Sequence, residues 1–140
     1  MAAVGGNGWS VLHIACAVKS VPLVGLLLDA SPPAAIEALT AHRESPLAVA
    51  AGVGCASTCR VLLERGADVN GSGGVSPLVA AAKAGAAGAV SVLIEAGANP
   101  AALQGGRSAG AWAKRFGFAE VGNDLLARAR ARVGGSEADS

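Results

Sequence analysis

The chain has 140 residues, 52% of them hydrophobic, and 11 Lys and Arg against 10 Asp and Glu leave a formal net charge of +1. That composition suits one continuous core, and a charge so near zero argues against a nucleic-acid binder working through bulk electrostatics. The longest apolar stretches are interrupted by Asp29, Arg60 and Lys83, so none reaches the roughly 20 residues that span a bilayer, and no membrane insertion is expected. Met1-Ala2-Ala3-Val4 leads straight to Gly8-Trp9 without a basic n-region, an apolar h-region or an Arg-rich transit segment, which points to the cytoplasm or nucleus.

From the N-terminus onward the chain reads as paired helices. Ser10-Val11-Leu12-His13-Ile14-Ala15 opens a short helix, and Leu23, Val24 and Leu26 to Leu28 supply the apolar face of a second. Ser31-Pro32-Pro33-Ala34-Ala35 reads as a lengthened loop. Ser45-Pro46-Leu47 opens the next pair, in which Ala48 to Ala51 form a helix with little side-chain bulk and Val61, Leu62 and Leu63 the heavier companion, with Leu62 in the core. After Gly66-Ala67-Asp68-Val69-Asn70 the pattern returns as Ser76-Pro77-Leu78, Ala80 to Ala82, then Val90, Val92, Leu93 and Ile94, and Gly97-Ala98-Asn99-Pro100. The fourth passage keeps Ser108 and Ala113, has Ala109-Gly110 in place of Pro-Leu, breaks at Phe116-Gly117-Phe118 and continues with Val121, Leu125 and Leu126. Trp112 is predicted to fill the space that Gly110 vacates.

Ser45 and Ser76 are 31 residues apart, and so are Gly66 and Gly97. Two motifs returning in one phase mean that one unit is copied, and a fixed period of about 30 residues indicates a solenoid. Gly54, Gly85 and Gly117 recur seven residues beyond Leu47, Leu78 and Gly110, where one helix must stop and the chain reverse, a turn that glycine enters cheaply. Each unit resembles an ankyrin repeat, whose signature is T-P-L-H-x-A; Ser10 to Ala15 fits it with Ser for Thr and Val for Pro. The resemblance implies an all-α fold, an ankyrin-repeat α-solenoid of helix-turn-helix units joined by hairpin-like turns. The repeat domain is expected over residues 1–133, with units at approximately 7–39, 40–70, 71–102 and 103–133, followed by a small, acidic, disordered tail at 134–140. The terminal units are degenerate, as capping units are.

Catalytic chemistry finds little support. His13 and Cys16 share a helix, but a zinc site needs about four ligands and no second pair is at hand. The resemblance gives His13 a different role, bonding to backbone in the adjoining turn. Cys55 and Cys59 could meet on one helix turn, yet three cysteines with no secretory signal point to reduced, mostly buried thiols. No G-x-S-x-G is present. Gly71-Ser72-Gly73-Gly74 lacks the Lys-Ser/Thr of a phosphate loop and reads as a hairpin tip. The chain is therefore expected not to be an enzyme and to need no cofactor or metal; a redox-sensitive or metal-binding protein is the weaker alternative.

Function then falls to the surface. The resemblance implies a protein partner on the concave face, built from hairpin tips and the exposed side of the first helices. Its variable positions fall here on Asn7, Trp9 and Val18; His42, Glu44 and Val53; Val75 and Lys83; and Gln104, Arg107, Arg115 and Phe116. Trp9, Glu44, Val75, Lys83, Arg107, Arg115 and Phe116 form the expected partner-binding set, with Trp9 or Phe116 as apolar anchor, since interface hot spots are enriched in Trp and Arg. The competing reading has Trp9 covering the N-terminal end and Phe116 packed under the last turn. Arg128-Ala129-Arg130-Ala131-Arg132 suits a helix C-terminus through the helix dipole; an acidic partner docking there is the alternative. The sequence thus implies an adaptor, scaffold or inhibitor, monomeric alone and without nucleic-acid affinity, or else a structural subunit permanently built into a larger assembly.

Overall fold

Four serines set the rhythm of the fold. The computed structural model describes residues 10–30, 32–71 and 74–139. Ser10, Ser45, Ser76 and Ser108 each cap a helix, their hydroxyl oxygens accepting the backbone N–H of His13, Ala48, Val79 and Ala111 at 3.3, 3.2, 3.4 and 3.4 Å. Such a cap satisfies one of the donors a helix start leaves open. The helices begun in this way are α1 (Val11–Ala17), α3 (Pro46–Gly52), α5 (Pro77–Lys83) and α7 (Ala109–Arg115). Pro46 and Pro77 take the first helical position, where a missing N–H costs nothing.

Each short helix ends on a left-handed residue: Lys19 at φ 62°, then Gly54, Gly85 and Gly117 at 77°, 67° and 92°. The next backbone N–H, from Ser20, Cys55, Ala86 or Phe118, reaches back to the carbonyl of Ala15, Ala50, Ala81 or Ala113 at 2.9 to 3.2 Å. That is the Schellman closure. It reverses the chain into the companion helices α2 (Val21–Ala30), α4 (Ala56–Glu64), α6 (Ala87–Glu95) and α8 (Ala119–Asp139). α1, α3, α5 and α7 pack side by side as an inner layer, α2, α4 and α6 as an outer one, and each inner helix packs on its companion.

Leu12, Leu47 and Leu78 occupy one register position of the inner layer, and Leu62, Leu93 and Leu125 one of the outer, all buried. Ala50, Ala51, Ala81, Ala82 and Ala113, each 0% exposed, keep the layers close. In the fourth unit the inner leucine position is Gly110. A methyl there would meet the Leu126 side chain and, at 3.0 Å, the carbonyl oxygen of Gly122. The Gly110 gap is thus closed by α8, whose Gly122 lets the two backbones approach, and not by Trp112 as predicted; that indole points elsewhere.

The long first loop contains a 3-10 helix, Pro33–Glu37, which buries Ala35 and Ile36 and whose Glu37 carboxylate accepts the Asp68 N–H at 3.1 Å. Strands β1 (Leu103–Gln104) and β2 (Arg107–Ser108) pair antiparallel around Gly105 and Gly106, both at positive φ, as a tight hairpin turn of the I′ kind requires. Helix α8 runs as far as Asp139, into the segment expected to be a disordered tail. Gly134-Gly135 weakens a helix by about 1 kcal/mol per glycine, and no proline follows to stop it.

Candidate functional site

Among the described residues, hydrogen bonds lace the tips of neighbouring units by three different devices. His13 is wholly buried. Its Nε2 lies 2.9 Å from the Glu44 carbonyl oxygen, which can only accept, so Nε2 carries the proton; Nδ1 accepts the Ser10 backbone N–H at 3.1 Å. Desolvation lowers the His13 pKa from 6.5, against hydrogen bonds to backbone that would raise it. The bond to the adjoining turn is the role the resemblance gives this histidine. Between the second and third units Val75 N–H donates to the Arg43 carbonyl at 2.8 Å. Between the third and fourth, Ser76 N–H donates to the Gln104 side-chain oxygen, also at 2.8 Å.

These joints hold the inner helices in register, with α1 and α7 exposing side chains to solvent while Pro46 to Ala51 of α3 are buried. At α1 the exposed surface is Ile14 and, at the helix end, Val18, at 39 and 63%. Toward the other end it becomes cationic and aromatic. Lys83 Nζ lies 4.3 Å from the Trp112 ring centroid and 5.8 Å from that of Phe116, and the Arg107 guanidinium stands 5.6 Å from Trp112. The two rings meet edge to face at 6.3 Å. Trp112 Nε1–H donates to the Gln104 carbonyl at 2.7 Å, which locks the indole against the β1–β2 hairpin. Ring and cation contacts of this kind contribute about 0.5–1 kcal/mol each at exposed sites, enough together to fix side chains in place.

The structure brings three of the expected residues together: Lys83, Arg107 and Phe116. Phe116 is 51% exposed, not tucked under the last turn. Arg115 is exposed beside it. Glu44 and Val75 are half-buried and join the lacing through backbone groups, while the Glu44 carboxylate takes the Thr40 hydroxyl at 3.4 Å within its own turn. Trp9 and Asn7 lie outside the described residues. Sequence reasoning missed Ile14 and Trp112. Both stand four residues after the capping serine, the variable x of the signature, and counting that position in every unit would have found them.

Other chemistry is poorly provided for. Burial, with a smaller contribution from neighbouring cysteines, pushes the Cys16 and Cys59 thiols up to about 12, so neither is a reactive thiolate at neutral pH. Cys55 Sγ sits 3.0 Å from the Thr58 hydroxyl. Among the described residues no group of three or more His, Cys, Asp or Glu is placed to hold a metal, and no helix is long and apolar enough to cross a membrane. An open groove of about 380 Å³ beside Gly85, Ala87, Phe118 and Val121 has Glu120 as its one titratable side chain, short of an acid–base pair.

A family model of ankyrin repeats, three copies long, matches residues 2–72, just over half of the chain. The match spans the first two units, and the capping serines and left-handed turns continue unchanged through the third and fourth. No curated protein matches the chain. Ankyrin repeats generally serve protein–protein interaction and are typically not enzymes.

Proposed function

The chain belongs to the ankyrin-repeat family, and from that premise we propose that it is a non-catalytic adaptor, scaffold or inhibitor that binds a protein partner reversibly on its concave face. The observation that carries this is the cluster of Lys83, Arg107, Trp112 and Phe116. Aromatic residues are 3% of the chain, yet these two stand at the surface of the inner layer, and Trp and Arg dominate binding hot spots. Ile14 and Val18 extend the surface toward the N-terminal end. The protein acts as a monomer in the cytoplasm or nucleus, compartments that suit three free cysteines.

The test is capture of the partner by the intact chain, set against Phe116→Ala combined with Lys83→Glu, and against Arg60→Glu in the outer layer. Loss of more than about 1 kcal/mol of affinity in the first variant alone, with helicity kept, supports the reading. Loss in Arg60→Glu alone moves the working surface to the convex side.

A second reading, a subunit built permanently into an assembly, is favoured by one observation. Leu23 and Leu26 are 40 and 67% exposed at the open side of the first unit, and obligate interfaces are the more hydrophobic kind. A complex that survives dilution and high salt would favour it over the adaptor.

A further inference from the structure

In the last two units the carboxylates are confined to the outer layer, which also carries Arg128, Arg130 and Arg132, while the inner layer holds cations alone. Helices α5 and α7 and the β1–β2 hairpin carry Lys83, Arg107, Lys114 and Arg115 and not one Asp or Glu. The carboxylates of the same two units, Glu95, Glu120 and Asp124, lie on the outer helices α6 and α8. The two ion pairs among the described residues, Asp29 with Arg65 at 2.6 Å and Asp124 with Arg128 at 3.0 Å, also belong to the outer helices and the loops that end them. The inner cations take part in neither. A net charge of +1 therefore conceals a basic inner surface at the C-terminal end of the stack.

Resting on the concave-face reading above, we infer that the partner segment seated there is an acidic peptide, rich in Glu or Asp and carrying an apolar side chain for Phe116. Complementary charge across an interface sets partner choice and speeds encounter. Carboxylates would meet Lys83, Arg107 and Arg115, which form no ion pair with a carboxylate among the described residues. A nucleic acid fits less well. Single strands bind by stacking bases on free aromatic faces, and Lys83 and Arg107 already stand over the Trp112 ring. The cations are also few, where phosphate recognition needs a track of them.

The probes are short fluorescent peptides of identical leucine spacing whose remaining positions are all Glu, all Gln or all Lys, together with an oligothymidylate of similar length. Each is titrated with the full chain by anisotropy, and the contact surface is mapped by amide chemical shifts. The Glu peptide is expected to bind roughly tenfold tighter than the Gln peptide, an advantage that shrinks as salt rises, with shifts along α5, α7 and the hairpin. Arg115→Glu, at an exposed site outside the ring contacts, should weaken it by roughly a further tenfold, and Lys83→Gln should do so less, both with unchanged melting. Equal or better binding of the Gln or Lys peptide at the same surface overturns the acidic partner and leaves the concave face standing. Shifts confined to the outer helices overturn both. Failure of the Glu peptide to bind, or tighter binding of the oligothymidylate, overturns the proposal.

Discussion

The two ends of the stack carry the same repeat and finish it differently. In the middle units Pro46, Pro77, Thr58 and Ala89 are buried against a preceding unit; their counterparts in the first unit, Val11 and Leu23, are exposed to 36 and 40%. Leu26 corresponds to Val92, and the two are 67 and 5% exposed. At the other end Ala51 and Ala82, wholly buried, correspond to Lys114, which is exposed. Asp124 takes the Val92 position and lines a groove of about 150 Å³ with Val90 and Val121, so the last outer helix stands off its neighbour and packs on α7 instead. Burial at a repeat position is thus set by the neighbour and not by the residue. The C-terminal end is dressed in polar side chains, as a capping unit should be, whereas the N-terminal end keeps apolar ones.

The largest effect that would break this comparison comes from a pair of leucines. Leu62→Ala or Leu93→Ala, each at 0% exposure, is expected to cost roughly 2–5 kcal/mol and, because units contact only their neighbours, to uncouple both halves. Leu26→Ala should stay within about 0.5 kcal/mol. Denaturant midpoints decide it: equal losses at Leu26 and Leu93 would mean that the N-terminal end is not bare.

The joints offer the next test. His13→Ala takes the acceptor from the Ser10 N–H and leaves the Glu44 carbonyl with the Thr40 N–H alone, a penalty of about 1–3 kcal/mol. The wild type should also respond to pH. Because burial lowers the folded pKa below the ordinary 6.5, the unfolded chain binds the proton more readily. Stability is therefore full above pH 6.5 and falls as pH drops from there toward the folded value, by at most about 1.4 kcal/mol per pH unit. Melting curves just below pH 6.5 should show that slope in the wild type and lose it in His13→Ala; an unchanged slope would assign it to another group.

At the far end Gly122→Ala places a methyl 2.9 Å from the Gly110 carbonyl oxygen and 3.2 Å from the Lys114 nitrogen. Overpacking of that kind costs about 1–3 kcal/mol. Hydrogen exchange should show protection lost from α7 and α8 while α1 to α4 keep theirs. Uniform loss would show that the last unit is coupled to the whole stack.

What the sequence made legible follows from what repeats. The 31-residue return of Ser-Pro-Leu marked the caps, and Gly54, Gly85 and Gly117 marked the reversals, because a left-handed residue narrows the choice to glycine. Pairings between different units left no such mark. Nothing in Gly110 announces that its neighbour is Gly122, so Trp112 was assigned to a space that α8 fills. Of the residues expected at the surface, register placed Lys83, Arg107 and Phe116 in one cluster. Glu44 and Val75 join the stack through backbone groups. Lys19 gave no sign of its left-handed turn, since a lysine there looks like an ordinary exposed charge.

That turn yields the smallest expected effect. Lys19 holds φ 62° where the other units have glycine, and a side chain in that conformation costs about 1–2 kcal/mol. Glycine would release that strain but lose roughly 0.5–1 kcal/mol through its freer unfolded chain. Lys19→Gly is accordingly expected to stabilise by about 0.5 kcal/mol, read as a small rise in melting temperature. The reverse exchange is unequal: Gly85→Lys must also displace the Phe118 ring that covers Gly85, so it should destabilise by well over the same amount. A fall in melting temperature for Lys19→Gly would show that the exposed lysine stabilises the first unit by more than its backbone strain costs, and the four reversals would then not be equivalent turns.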